Sequence, residues 1–173
     1  MEKGLIQVFT GDGKGKTTAA LGTVIRAAGH GLRVCVICFM KGDYPYGEFE
    51  TLQALPEITV YRYGRIDFVD PRNVLDIDKE QAAKALETAR EAIFSGKYDI
   101  VILDEINIAA SWGLLETEEV VNLLKSRPEN VELILTGRYA DPRLIACADL
   151  VTEMVEVKHP FRKGIEARQG FEY

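Results

Sequence analysis

Short apolar runs alternate with longer stretches of helical periodicity along most of the chain. Residues 5–9, 33–40, 58–61, 100–105, 131–136 and 150–157 each carry an apolar run of strand length. Between them, residues 17–29 place Ala19, Ala20, Leu21, Val24, Ile25 and Ala28 on a helical stripe, with Gly29 and Gly31 as stop signals. Residues 78–94 do the same with Ala82, Leu86, Ala89 and Ile93, ahead of Gly96. Residues 117–125 read as a helix with Thr117 as N-cap and Glu118 and Glu119 in its first turn. A turn or two of helix is expected over 49–55, and a short helix over 142–148. Residues 62–77 show no period, mixing aromatic and charged side chains. Such a long loop is either functional or a mobile surface segment.

Regular strand–helix alternation predicts an α/β fold: a mostly parallel sheet with helices on both faces. No repeat or linker interrupts it, so residues 1–173 are expected to form a single domain. The run Ile100-Val101-Ile102-Leu103 is apolar at every position, as a central parallel strand buried on both faces requires.

Composition narrows the function classes. Hydrophobic residues make up 47% and charged residues 28%, ordinary for a soluble chain. The net charge of −6 argues against a general nucleic-acid footprint. No apolar run is long enough to span a membrane, and no signal peptide is recognisable, so the expected compartment is cytoplasmic. Three cysteines suit a reducing environment. Cys35 and Cys38 form a C-x-x-C, but three residues apart on a strand they face opposite sides and cannot share a metal. They and Cys147 are expected in the core.

The first candidate chemistry lies where the first strand ends. Thr10-Gly11-Asp12-Gly13-Lys14-Gly15-Lys16-Thr17-Thr18 places three glycines and a Gly-Lys-Thr between a strand and a helix, the context of a phosphate-binding loop. Glycine permits positive φ, so backbone N–H groups can turn toward an anion at the helix's positive end. Lys16 would reach phosphate oxygens and the Thr17 hydroxyl would ligate Mg²⁺. The usual spacing puts the first glycine at position 10. Here Thr10 stands there and Gly11 follows one residue late.

Other candidates gather at the same sheet edge, where open α/β sheets bind ligands. Asp104 and Glu105 end an apolar strand, and carboxylates there need a cation or solvent. Arg138 follows the strand at 131–136 and would clamp polyphosphate or serve a structural ion pair. Arg26, on the first helix, is either a solvated arginine or a second contact to nucleotide or partner subunit. The loop 41–48 sits at a strand's C-terminal end. Trp112 reads as core rather than as a ligand platform. The basic, aromatic tail 158–173 is expected over the ligand edge or a partner subunit, its alternative being a frayed end. His159 is too isolated to assign as a base. These residues support a Mg-nucleotide-binding domain of the P-loop NTPase-like (RecA-like) class. They leave open a γ-phosphate-cleaving ATPase or kinase, and a non-enzymatic ATP-sensing module.

A resemblance to one family chooses among these. The glycine loop, Arg26-Ala27-Ala28-Gly29-His30-Gly31, Leu103-Asp104-Glu105, Leu135-Thr136-Gly137-Arg138, Ala148-Asp149-Leu150-Val151-Thr152-Glu153-Met154 and Val157-Lys158-His159-Pro160-Phe161 resemble the P-loop ATP:corrinoid adenosyltransferases. So do Gly164-Ile165 and Ala167-Arg168-Gln169-Gly170-Phe171, which separate this family from generic P-loop ATPases. The resemblance implies that a reduced Co(I) corrinoid attacks the 5′ carbon of ATP and triphosphate leaves, with the triphosphate lying in the loop in reversed sense. It implies that Gly11, Asp12, Gly13, Lys14, Gly15, Lys16, Thr17 and Thr18 cradle the triphosphate. Arg26 and Arg138 would add charge, and Thr17, Asp104 and Glu105 would hold Mg²⁺ or Mn²⁺. Lys16, Glu105 and Arg138 would carry the catalytic stabilisation. Cobalt being the nucleophile, no Ser, Cys or His nucleophile is required.

Two departures stand out. Family members usually have Asn where this chain has Asp12, and the aromatic segment that covers the corrinoid, near Tyr63 to Phe68, has no Trp here. Phe68 is the candidate for that contact. The resemblance also implies a homodimer and an electron donor of flavodoxin type. Few residues precede the first strand, so no long N-terminal helix is expected to cover a partner's corrinoid.

Overall fold

The computed structural model describes residues 2–173. Six strands, β1 (Ile6–Thr10), β2 (Val34–Cys38), β3 (Ile58–Arg62), β4 (Ile100–Asp104), β5 (Glu132–Thr136) and β6 (Leu150–Glu153), form one sheet in the order β3-β2-β4-β5-β1-β6. Every pairing is parallel, so all six C-terminal ends lie along one edge. The helices are α1 (Lys16–Ala28), α2 (Gly47–Gln53), α3 (Asp76–Phe94), α4 (Ile106–Ser111), α5 (Thr117–Ser126) and α6 (Pro142–Cys147).

Strand side chains alternate between two cores, as the two-residue period demands. Val8, Cys35, Ile37, Val101, Leu103, Leu133 and Leu135 join Ala82, Ala89 and Ile93 of α3 and Val120, Leu123 and Leu124 of α5 on one face. Phe9, Val34, Val36, Cys38, Ile100, Ile102 and Ile134 meet Ala20, Val24 and Ala27 of α1 and Phe49 and Leu52 of α2 on the other. Helices therefore cover both faces, and the expected stripe of α3 is the one buried. Cys35 and Cys38 do face opposite sides. Burial pushes the Cys35 thiol up to about 12 and Cys38 well above its ordinary value. No helix among the described residues is long and apolar enough to cross a membrane.

Three local expectations are corrected. The last strand stops at Glu153 rather than running to 157, because the chain turns there to lie on the glycine loop. The Met154 N–H donates to the Thr10 carbonyl at 2.8 Å, and the Gly13 N–H donates to the Met154 carbonyl at 2.7 Å. A Cβ on Gly11 would stand 2.5 Å from the Met154 carbonyl oxygen, so this glycine is required by the backbone packed against it. Thr117 is the first residue of α5, not its cap; Glu116 precedes it without a side-chain cap bond. Between β4 and Trp112 the chain forms α4, whose Ile106 and Ala109 are fully buried.

The loop 62–77 is tied down at its end. Asp78 accepts from the Leu75 N–H at 3.0 Å and pairs with Arg65 at 2.7 Å, which anchors the loop to the first turn of α3. α3 consequently begins at Asp76, two residues before the pattern placed it.

Candidate active site

The C-terminal edge of the sheet opens into a cavity of about 980 Å³. One wall is the glycine loop. Gly15 takes φ 116° and starts α1, whose first turn carries no acidic residue and no side-chain cap. The N–H groups that begin a helix lack intrahelical partners, so this end is open to an anion. The Lys16 ammonium folds back onto its own loop, donating to the Gly11 and Gly13 carbonyls at 2.7 Å each. Burial lowers its pKa, Arg138 adds to that, and Glu105 and Asp12 oppose it. An incoming phosphate oxygen would exchange two neutral acceptors for a charged one, which makes stronger bonds.

A carboxylate corner lies beside the loop. The Thr17 hydroxyl donates to Asp104 Oδ1 at 2.8 Å, and the Thr136 hydroxyl donates to the same oxygen at 2.7 Å. The Lys41 ammonium pairs with Asp104 Oδ2 at 2.7 Å and donates to Thr17 Oγ1 at 3.2 Å. Burial alone would raise the Asp104 pKa, but Lys41 and the two hydroxyls outweigh it and hold the carboxyl below its usual range. Lys41 is also buried; burial would lower its pKa, yet Asp104 and Glu105 raise it above the usual lysine value. Each partner of this ion pair therefore favours the charged form of the other.

Glu105 is placed by strain. Its φ of 65° puts a non-glycine residue in the left-handed region, at the turn from β4 into α4. Its N–H donates to Thr136 Oγ1 at 2.9 Å. Its side chain reaches the cavity, and none of the described residues gives its carboxylate a hydrogen bond or ion pair. Burial, then the charge of Asp104, raises its pKa. Across from it, Gly137 takes φ 126°, and a Cβ there would stand 3.2 Å from Glu105 Oε2. The charges of Lys41, Lys16 and Arg138 oppose the rise in the Glu105 pKa, so the acid is offset at a distance by three cations and directly paired with none of them.

The opposite rim is aromatic. Tyr44 lies with its ring centroid 4.8 Å from Tyr46, 6.1 Å from Phe68 and 5.7 Å from Tyr173. Phe68 is 81% exposed, an unusual position for a large apolar ring that lines a cavity. The tail crosses this rim as expected. Lys14 holds it, donating to the Phe171 carbonyl at 2.6 Å and the Glu172 carboxylate at 2.9 Å. Arg168 and Lys14 together bring the Glu172 carboxyl down to about 2.

The predicted residues converge in large part. Gly13, Lys14, Gly15, Lys16, Thr17 and Thr18 line the cavity, and Glu105, Arg138 and Phe68 face them. Asp104 stands behind Thr17 rather than at the surface. Gly11 and Asp12 form the outer arm of the loop. The Asp12 carbonyl accepts from Arg138 at 3.3 Å, and its residue is exposed. Arg26 is exposed on α1 and does not line the cavity. Trp112 does both of its alternatives, packing on the core and lining the cavity. The residues missed were Lys41, Tyr44 and Tyr46. Their signal was a lysine directly after a buried strand, at the edge where ligands bind, followed by two tyrosines.

The family model of the ATP:corrinoid adenosyltransferase BtuR/CobO/CobP matches residues 2–173. The chain is 42% identical over 174 residues to the corrinoid adenosyltransferase of a Sinorhizobium species, covering 99% of this chain and 81% of that one. It is 38% identical over 172 residues to the corrinoid adenosyltransferase of Pseudomonas aeruginosa, with 99% and 85% covered. The Escherichia coli K12 corrinoid adenosyltransferase is 37% identical over 172 residues, with 99% and 87% covered. Among solved structures, the flagellar accessory protein FlaH of Methanocaldococcus jannaschii superposes with a TM-score of 0.60, covering 88% of this chain and 72% of that one. At 9% identity that likeness concerns the fold alone, a parallel α/β sheet with helices on both faces.

Proposed function

The chain belongs to the ATP:corrinoid adenosyltransferase family, and from that premise we propose how its cavity moves the 5′-deoxyadenosyl group of ATP onto the cobalt of a reduced corrinoid. Co(I) supplies an electron pair to the 5′ carbon. The bond from that carbon to the bridging oxygen breaks, its electrons leave on triphosphate, and cobalt becomes formally Co(III). The product serves adenosylcobalamin synthesis or salvage.

The protein's work is to hold the leaving group and aim the carbon. Triphosphate lies along Gly13 to Thr18 in reversed sense, its oxygens taking the Lys16 ammonium from the Gly11 and Gly13 carbonyls. The N–H groups opening α1 face the same charge. Arg138, at the cavity edge, adds a second cation where negative charge accumulates on the departing oxygen. The aromatic rim excludes water from Co(I) and provides a flat apolar wall for a macrocycle; Phe68, the most exposed ring, covers the corrinoid.

A divalent cation fits the carboxylate corner. The Glu105 carboxylate has no hydrogen-bond or ion-pair partner among the described residues and faces the cavity, and Thr17 gives its proton to Asp104, which leaves its oxygen as an acceptor shared between Lys41 and an incoming ion. These are hard oxygen donors of the type Mg²⁺ or Mn²⁺ takes. Thr17 and Glu105 would hold the ion, with Asp104 orienting Thr17. When bound, it would neutralise triphosphate oxygens and ease their departure. The protein works in the cytoplasm as a homodimer and receives its corrinoid already reduced by a flavodoxin-type donor.

The observation carrying this reading is the glycine loop and the aromatic rim facing one another across a single cavity. Incubation with ATP, Mg²⁺ and chemically reduced corrinoid tests it. A light-sensitive adenosylcorrinoid and stoichiometric triphosphate are expected. Formation of ADP independent of corrinoid, or binding without turnover, would overturn it.

A further inference from the structure

Lys41 is used by no step above, yet with Lys16 it is one of two buried cations at the site. It is 9% exposed, follows β2 after Phe39 and Met40, and lines the cavity. Its backbone is fixed on both sides: its N–H donates to the Tyr63 carbonyl at 2.9 Å, and its carbonyl accepts from Arg62 Nε at 3.0 Å. Its ammonium lies over the Tyr46 ring, 5.2 Å from the centroid. It is thus held 2.7 Å from Asp104 Oδ2 and 3.2 Å from Thr17 Oγ1.

That position has a consequence for metal binding. The hydroxyl oxygen that would ligate a divalent ion is the one that accepts from Lys41. The carboxylate next to it already has its counter-charge in Lys41. Without Lys41, Asp104 would lose its only ion-pair partner among the described residues, leaving two carboxylates and a hydroxyl offset only by Lys16 and Arg138 around Glu105, an attractive site for a divalent ion with no nucleotide present. With Lys41, one negative charge is cancelled and a fixed positive charge repels the newcomer at close range.

We propose that Lys41 is a positioning residue that makes metal binding conditional on nucleotide: as a resident cation between Thr17 and Asp104, it keeps the free site from loading a divalent ion until triphosphate oxygens add their charge. When the metal–nucleotide complex arrives, Lys41 gives up the Thr17 oxygen and keeps Asp104. The inference rests on the proposed metal role of Thr17 and Glu105.

The test is Mn²⁺ titration followed by electron paramagnetic resonance, on nucleotide-free and ATP-bound protein, for wild type, Lys41→Met and Lys41→Arg. Lys41→Met should bind Mn²⁺ without nucleotide about tenfold more tightly than wild type, and Lys41→Arg should remain near wild type. The gap between Lys41→Met and wild type should narrow with ATP bound. Unchanged nucleotide-free affinity in Lys41→Met, with ATP-dependent Mn²⁺ binding intact, would overturn the role of Lys41 alone. So would weaker metal-free ATP binding as its sole defect, which would make Lys41 a phosphate ligand. Absence of Mn²⁺ binding in wild type even with ATP would instead overturn the metal reading beneath it. Should Lys41→Met not fold, side-chain ammonium resonances of ¹⁵N-lysine wild-type protein decide. The Lys41 signal should shift when Mg²⁺ is added to the ATP complex, and a signal indifferent to Mg²⁺ would contradict the proposal.

Discussion

On the charged side of the cavity, buried polar groups are matched to partners, with the Glu105 carboxylate as the exception at its surface. Asp104 accepts from two hydroxyls and pairs with Lys41, and Lys16 bonds two carbonyls of its own loop. On the aromatic side, Tyr44, Phe68 and Tyr173 touch mainly one another, and Phe68 and Phe171 are largely exposed. The first wall is preorganised for charge, because hydrogen bonds in a low-dielectric corner are strong and specific. The second depends on apolar area and on segments from three separate parts of the chain, so it can adjust to a large flat ligand. Affinity for triphosphate should therefore be sensitive to single polar changes, while the aromatic wall should respond in a graded way.

The contrast can be broken at several points. The largest effect is expected from Lys16→Ala, which should lower turnover by about a thousandfold with the fold intact by circular dichroism, since it removes a preorganised cation from the leaving group. Activity near wild type would refute the phosphate-loop assignment. Glu105→Gln should come next, shifting the Mg²⁺ titration of turnover to about tenfold higher concentration by removing one charged oxygen donor; an unmoved titration would remove Glu105 from the metal site. Phe68→Ala should raise KM for corrinoid by about fivefold through lost apolar contact, leaving ATP affinity unchanged. If ATP affinity fell instead, the division between the two walls would fail. The smallest effect belongs to the core behind both. At pH 8 a thiol reagent should modify Cys147 well before Cys35 and Cys38, which are buried and whose thiols are pushed up, Cys35 to about 12. Equal labelling rates would show that the sheet opens.

The polar wall was far more legible in the sequence than the aromatic one, and the reason is physical. Gly15, Lys16, Thr17, Asp104, Glu105 and Arg138 lie at strand ends, where parallel topology alone fixes which edge they share. Their chemistry follows from residue type and place. Lys41 obeys the same rule but lacks a motif around it, so only its ion pair with Asp104 reveals what it does. The aromatic wall depends on how irregular segments fold back. Tyr44 meets Tyr173, the last residue of the chain, a contact that no local period encodes. The shortened last strand has a similar cause. Residues 154–157 are apolar enough for a strand, but the glycine loop takes the Met154 backbone as its own packing partner. Arg26 is the reverse case, a suggestive residue type whose helix face turns it away from the cavity.

The central claim is that the cavity cleaves the bond between the 5′ carbon and its oxygen, with the phosphate chain gripped intact. ATP labelled with ¹⁸O at that bridging oxygen tests it most directly. After a single turnover with reduced corrinoid, the released inorganic triphosphate should carry the whole label by mass spectrometry, and the adenosylcorrinoid none. Label retained in ADP or AMP, with unlabelled phosphate or diphosphate released, would contradict the account.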